Sequence, residues 1–169
     1  FQTIEKNKEV VMFAPTTSKQ KYFADFGWVS SNENLDLPGP DTLWRSSSKN
    51  LSPGSPITLY WRNRQGVEFR IAISMDDKFM FNIEQKVINR SRRDITIANY
   101  GRINRMYSGI GKKPNYILHE GFIGAFNGIL EEHTYKDIVE DRIARFKSKG
   151  STWQGITDKY WLSSIIADK

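Results

Sequence analysis

The stretch that decides the fold is VEFRIAISM, residues 67–75. Large apolar side chains occupy every second position of this stretch, at Val67, Phe69, Ile71, Ile73 and Met75. Glu68 and Arg70 alternate with them. Because successive side chains of a β-strand point to opposite faces, this period of two predicts a strand with one buried face, and the odd-numbered residues face the core.

Strand-like runs also lie on both sides of this stretch. ITLYWR precedes it at 57–62, and KFMFNIEQKVIN follows it at 78–89. The connections NRQG and DD are short and rich in turn residues, as β-hairpin connections are. After NRSRRD comes another apolar run, ITIANYGRI. Residues 57–105 are therefore predicted to form an antiparallel meander of three or four strands.

The two ends of the chain give weaker patterns. EVVMFAP and DTLWRS are shorter strand candidates, and the segments SSNENLDLPGPD and SSSKNLSPGSP between the early strands are predicted to be surface loops. The final stretch, STWQGITDKYWLSSIIADK, combines a helical stripe of large side chains with Gly155 and β-branched residues. We expect two short strands around a turn at Thr157 to Lys159.

Length and composition bound the class of protein. The 169 residues, 38% hydrophobic and 13% aromatic, suit one globular domain. No segment approaches the run of about 20 apolar residues that a membrane span needs. With zero cysteines, disulfides and cysteine metal sites are excluded. The sequence begins at Phe1, with no initiator methionine and no signal-peptide pattern. We therefore expect the chain to be an excised piece of a longer protein.

Two histidines raise the possibility of acid–base chemistry or a metal site. His119 precedes Glu120, and His133 follows Glu131 and Glu132. Neighbouring residues of a strand point to opposite faces, so these side chains do not converge easily on one ion, and the helical spacing of a zinc site is missing. The preferred interpretation is structural, and no metal or cofactor is predicted.

A basic cluster is the feature that would suit nucleic acid. The net charge of the chain is +6, and residues 89–105 contain one acid, Asp94, against five arginines: Arg90, Arg92, Arg93, Arg102 and Arg105. Arginines interleaved with tyrosines can bind single strands. The first three fall on a predicted hairpin tip, where solvated charge is ordinary, so no nucleic-acid partner is predicted. In residues 131–149 five acids and five bases cancel, which predicts no focus for anions.

Glycine-rich segments do not match a phosphate-binding loop. YSGIGKK at 107–113 and GFIGAFNG at 121–128 lack the required spacing, and glycine in a β-rich chain more often marks a turn or a close backbone approach. Serine-nucleophile patterns are missing as well. The residues alone thus predict a soluble β domain without an evident catalytic centre.

Two long segments carry a family resemblance. NYGRINRMYSGIGKKPNYILHEGFIGAFNGILEEHTYKDI at 99–138 and STWQGITDKYWLSSIIADK at 151–169 resemble the periplasmic domain of the YidC membrane-protein insertase family. The resemblance is nearly continuous from about residue 57, whereas residues 1–50 share only a loose GWVSS…LPGPDTLW pattern. Phe122 stands where the family pattern EGPIG has proline, a departure that affects one turn.

The resemblance implies an all-β, mainly antiparallel fold with little helix. Specifically, it implies a β-supersandwich similar to galactose mutarotase-like folds, with residues 1–169 as a single domain and a truncated portion of the insertase periplasmic domain. Trp153, Tyr160 and Trp161 would then be core residues of the sandwich, and not an aromatic belt beside lipid.

The resemblance also implies a function and a location. The chain would be a non-catalytic scaffold or docking module on the periplasmic side of the bacterial inner membrane, tethered through segments absent from it. It would support insertion and folding of membrane proteins, alone or with the Sec translocon. No catalytic, cofactor-binding or metal-binding residue is carried over. The alternative is a carbohydrate-binding or sugar epimerase domain of mutarotase-like fold, with His119 or His133 and a glutamate as acid and base.

Overall fold

The computed structural model describes residues 12–14, 17–19, 21–106, 119–158 and 161–167. These residues form ten strands and one helix. In chain order the elements are β1 (Tyr22–Val29), β2 (Arg45–Ser46), β3 (Ile57–Arg62), β4 (Val67–Met75), β5 (Phe81–Asn89), β6 (Ala98–Arg105), β7 (Gly121–Phe126), β8 (Ile129–Thr134), α1 (Tyr135–Asp141), β9 (Thr152–Asp158) and β10 (Trp161–Ala167). The predicted all-β fold with little helix is confirmed, whereas the likeness to a supersandwich stays a prediction.

The chain divides into two compact units. The middle unit is Phe26–Tyr100, and the terminal unit combines Phe1–Asp25 with Gly101–Lys169. Strands β1 and β6 pair with each other in a two-stranded sheet, and the division falls inside both strands. Each unit has a four-stranded sheet of its own.

The middle unit contains the predicted meander. Its sheet has the order β2-β3-β4-β5, and the pairing of β3 with β4 and of β4 with β5 is antiparallel. Val67 and Phe69 are completely buried and Ile71 nearly so, as the alternation predicted. The ring of Phe69 packs against Trp28 and Trp61, at centroid distances of 5.1 and 5.9 Å. These aromatic contacts form the centre of the core.

The prediction for Glu68 was only half right. It lies on the face of β4 opposite Phe69, as expected, but it is 6% exposed and therefore buried. Arg62 on β3 and Arg70 on β4 lie on either side of it, with guanidinium-to-carboxylate distances of 2.6 and 2.5 Å. The long arginine side chains cover the carboxylate and neutralise it, so the second face of the sheet is shielded at this point by charged residues.

Assigning residues 95–105 to the meander was wrong. Residues 98–105 form β6, which pairs with β1, a strand that the sequence did not reveal. The chain turns away after β5, where the Asn89 side chain bonds the backbone of Ser91 and Arg93. Gly27 explains the close approach of β1 to β6, since a Cβ at this position would collide with the ring of Tyr100.

The sheet of the terminal unit has the order β10-β9-β7-β8, with antiparallel neighbours. The two strands predicted at the end of the chain are thus confirmed, but β9 continues to Asp158, so Thr157 and Asp158 belong to the strand instead of the predicted turn. Tyr160 lies outside the described residues. Trp153 and Trp161 are half-buried.

Helix α1 follows β8 directly and was not predicted. Its signal is a capping box in the sequence Thr-Tyr-Lys-Asp. The Thr134 backbone N–H donates to the Asp137 carboxylate at 2.8 Å, and the Asp137 N–H donates to the Thr134 hydroxyl at 3.3 Å. The helix ends at Arg142, which has a φ of 62°. The short α1 brings the next segment back across the sheet.

Candidate docking groove

A concave surface of the terminal unit has an aromatic floor. Phe122 and Phe126 lie four residues apart on β7, so their side chains point to the same face of the sheet. His133 on β8 is the direct partner of Phe122 in the strand register, which places its ring on that face too. The His133 ring lies 6.0 Å from that of Phe122. Three rings are thereby presented by two neighbouring strands.

Phe146 completes this floor from a distant part of the sequence. Its ring is nearly parallel to that of Phe122, at 5.7 Å and 4°, and to that of Phe126, at 4.8 Å and 18°. The His133 ring is tilted against it at 5.7 Å. Parallel stacking at these distances buries the ring faces against one another. The stack attaches the segment that follows α1 to the sheet.

Residues 142–147 form one wall of the groove without regular secondary structure, and residues 148 and 149 follow them. Asn127, in the β7–β8 turn, fixes this segment through its side chain. Its amide nitrogen donates to the carbonyl of Lys147 at 2.8 Å, and its amide oxygen accepts from the backbone N–H of Lys149 and the hydroxyl of Ser148, both at 3.1 Å. Ile138 of α1 lines the opposite side. The wall is therefore held in place by side-chain hydrogen bonds and by Phe146.

The groove has a volume of about 590 Å³ and a basic border. Arg142, Arg145 and Lys147 line it, and no carboxylate is present in its lining among the residues that the structure describes. The expectation that charges in 131–149 cancel holds for the total but not in space: the five acids all lie at 131–141, and 142–149 carries four bases. Ile143 adds an apolar side chain that is 64% exposed.

A polar cluster lies beside this groove in the same unit. The Arg105 guanidinium is 2.6 Å from the Asp158 carboxylate, and the Tyr135 hydroxyl donates to the same carboxylate at 3.2 Å. Arg105 also lies 4.3 Å above the Tyr22 ring, and the Tyr22 hydroxyl bonds that of Ser163. Burial raises the pKa of Tyr22 and raises that of Tyr135 well above the ordinary tyrosine range, so both hydroxyls are neutral at physiological pH.

The two histidines lie in different surroundings. The Nε2 of His119 donates to the Phe122 carbonyl at 2.8 Å, and its own carbonyl accepts from the Thr157 hydroxyl. His133 packs among phenylalanines. Within the described residues, no group of three or more His, Cys, Asp or Glu side chains is arranged to hold a metal ion.

The five arginines of the basic cluster have different surroundings in the structure. Arg102 pairs with Asp25 at 2.6 Å, and Arg105 pairs with Asp158. The remaining three, Arg90, Arg92 and Arg93, are exposed at the connection after β5. The cluster that the sequence suggested is therefore divided between structural ion pairs and a solvated turn.

The glycine-rich segment at 121–128 forms β7 and the turn after it, and the turn agrees with the interpretation of these glycines. Asn127 and Gly128 connect β7 to β8, and both have positive φ, at 53° and 81°. This conformation is typical of an Asn-Gly hairpin. The segment at 107–113 lies outside the described residues.

Comparison with known proteins shows the family. The model of the YidC periplasmic domain family matches residues 1–169, and the chain belongs to this family. It is 43% identical over 165 residues to the membrane protein insertase YidC of Rickettsia bellii, and 43% identical over 169 residues to that of Rickettsia akari. The alignments cover 98% and 99% of this chain but only 29% and 30% of the relatives.

The membership also gives the location. As the periplasmic domain of an inner-membrane protein family, the chain lies on the periplasmic side of the bacterial inner membrane. In the part of the chain that the structure describes, there is no helix with the length and apolar character required to cross a membrane.

Proposed function

We propose that the chain is a non-catalytic docking module of an inner-membrane protein insertase, which supports insertion and folding of membrane proteins, alone or with the Sec translocon. The observation that carries the proposal is the family match over all of residues 1–169. The relatives are named membrane protein insertases, and this chain corresponds to about 30% of their length. A module that binds clients or partner proteins beside the membrane-embedded part fits this relationship.

The groove supports binding in preference to catalysis. Its floor consists of phenylalanine rings and His133, and three of its lining residues are cationic. An epimerase needs an acid and a base that face each other across a polar cleft. The His119 ring already bonds the Phe122 carbonyl, and His133 is surrounded by aromatic rings. These contacts favour an interaction surface over the carbohydrate-binding alternative.

The proposal treats residues 1–169 as part of one periplasmic domain that is tethered to the membrane by other segments of the full-length protein. The two units of the chain would then unfold together. Coincident urea transitions measured by tryptophan fluorescence and by circular dichroism would support this, and two separated transitions would contradict it.

The docking role is tested in the full-length insertase. A photo-crosslinking amino acid at the position of exposed Ile143 should give adducts with other proteins in cells, and the same group at exposed Arg92 should give fewer. Similar or absent adducts at both positions would contradict docking at the groove. For the alternative, the chain is assayed for mutarotation of glucose: activity abolished by His119→Ala or His133→Ala would overturn the non-catalytic assignment.

A further inference from the structure

We infer that the groove formed by Phe122, Phe126, Ile138 and residues 142–147 binds a protein segment in which acidic residues alternate with aromatic or aliphatic ones. This inference rests on the proposed docking function and names the chemistry of the partner. It follows from three properties of the groove: its apolar floor, its uncompensated positive charge and its rigid wall.

The apolar part of the groove has room for side chains of a partner. The stacked phenylalanines form the floor, and Ile138 and Ile143 are exposed beside them, at 39% and 64%. Apolar side chains of this size are normally buried by folding, and a contiguous exposed set beside a concavity is typical of an interaction site. A phenylalanine or leucine of a partner would cover them.

The border of the groove is positively charged and would be complemented by an anionic partner. Within the described residues, Arg142, Arg145 and Lys147 take part in no ion pair, whereas Arg62, Arg70, Arg102 and Arg105 each pair with a carboxylate. The nearest acids in the sequence and register, Asp141 and Glu131, do not line the groove. Carboxylates of a partner would therefore complement the border, and this complementarity would set both orientation and rate of association.

The geometry distinguishes a protein segment from the other anions. A bilayer surface is broad and does not enter a groove, whereas an extended chain or a helix does. Single-stranded nucleic acid binds by stacking its bases on free aromatic faces. Here the rings of Phe122, Phe126 and Phe146 already stack on one another, at 4° and 18°. The exposed apolar side chains are aliphatic, and they suit apolar side chains of a protein.

The C-terminal end of the wall is fixed to the sheet. The three hydrogen bonds of Asn127 and the ring of Phe146 hold residues 146–149 against the sheet. Binding to such a wall does not require ordering of the segment, which lowers the entropic cost of association.

The test uses residues 1–169 and a short fluorescein-labelled peptide that alternates glutamate with phenylalanine and leucine. Fluorescence anisotropy should show binding that weakens as salt is raised. A matched peptide with lysine in place of glutamate should bind at least about tenfold more weakly. The double variant Arg142→Glu with Arg145→Glu should lose about tenfold or more in affinity for the glutamate peptide.

Two control variants separate the groove from general effects. Arg92→Glu with Arg93→Glu changes the net charge equally at an exposed turn and should leave the affinity unchanged. Phe146→Leu, which keeps an apolar contact, should bind better than Phe146→Ala, and thermal melts identify any variant that has lost the fold.

Several results would overturn the inference. An equal loss in the Arg92 and Arg93 variant would show that only net charge matters. Binding to phosphatidylglycerol vesicles, lost on changing Arg142 and Arg145, together with no binding of the glutamate peptide, would assign the surface to lipid instead. If crosslinks from Ile143 form in the full-length protein but neither peptide binds, the docking role stands and the acidic partner is wrong.

Discussion

Arg105 and Asp158 join the last residue of β6 to the last residue of β9 by an ion pair of 2.6 Å. Their side chains are 24% and 23% exposed, so the pair is largely shielded from water. Tyr135, the first residue of α1, donates to the same carboxylate. One carboxylate therefore connects a helix and two strands of the terminal unit that are distant in the sequence.

Replacing Arg105 should weaken the terminal unit. In Arg105→Met, the shielded Asp158 carboxylate loses its cation and keeps only the neutral Tyr135 hydroxyl as a hydrogen-bond partner. We expect the free energy of unfolding to fall by about 2 to 3 kcal/mol, which is less than for a fully buried pair. Urea unfolding measures the change. The matched control is Arg102→Met, because the Arg102–Asp25 pair is more exposed, at 60% and 31%. It should cost less than about 1 kcal/mol. Equal losses in the two variants would contradict the importance of shielding.

Gly155 should tolerate no side chain. It lies between β7 and β10, and a Cβ at this position would meet the backbone carbonyl of Ser163 and the Cα of Ser164. Since backbone atoms of a paired strand cannot move without loss of hydrogen bonds, Gly155→Ala should destabilise the protein by about 1 to 3 kcal/mol in thermal or urea unfolding. Gly150→Ala is the control, because its Cβ would meet nothing within 4 Å. A neutral Gly155→Ala would mean that β9 and β10 pair differently.

Glu68 should make the free energy of unfolding depend on pH in the acidic range. Hydrogen bonds from Arg62 and then from Arg70 hold the pKa of this carboxyl below its ordinary value of 4.5. A lowered pKa in the folded state contributes stability that is present above the unfolded pKa and is lost as pH falls through the folded pKa.

The Glu68→Gln variant tests this dependence by urea unfolding at a series of pH values. Wild type should exceed the variant in stability at neutral pH, and the difference should shrink as pH falls below 4.5. The control is Glu84→Gln at an exposed position of β5. A constant difference between wild type and Glu68→Gln across the acid range would show that the charge of Glu68 is unimportant.

Trp161 should support the fold and not a membrane contact. It is half-buried at the start of β10, where its register partner is Asp158, and the nearby Gln154, Asp158 and Ser163 make this surface too polar for lipid. Trp161→Ala should lower the free energy of unfolding by roughly 2 to 4 kcal/mol, including the cavity left behind, and leave liposome binding unchanged. Unchanged stability together with abolished liposome binding would show that Trp161 contacts the membrane. Any attraction of Arg92 and Arg93 to anionic lipid should disappear as salt is raised.

The candidate groove shows the limit of reasoning from the sequence. Phe122 and Phe126 could be placed on one strand face, but nothing in the local pattern indicates that Phe146 stacks on both. The total charge of 131–149 is zero. The sequence shows that the acids precede most of the bases, but only the structure shows that Arg142, Arg145 and Lys147 border a groove. The capping box at Thr134 and Asp137 was the one local signal that could have revealed the helix.

The sequence by itself determined the strands that have strong local alternation, above all β4 with Val67 and Phe69 buried, and it determined the family through motifs in a specific order. Tertiary structure alone decided that β6 pairs with β1 and not with β5, that Glu68 is buried between two arginines, and that Phe146 completes a groove. The physical reason is that periodicity reports which face of an element is apolar, and this is a local property. The choice of partner depends on competition between distant segments for the same edge or surface, and a local pattern carries no record of that competition.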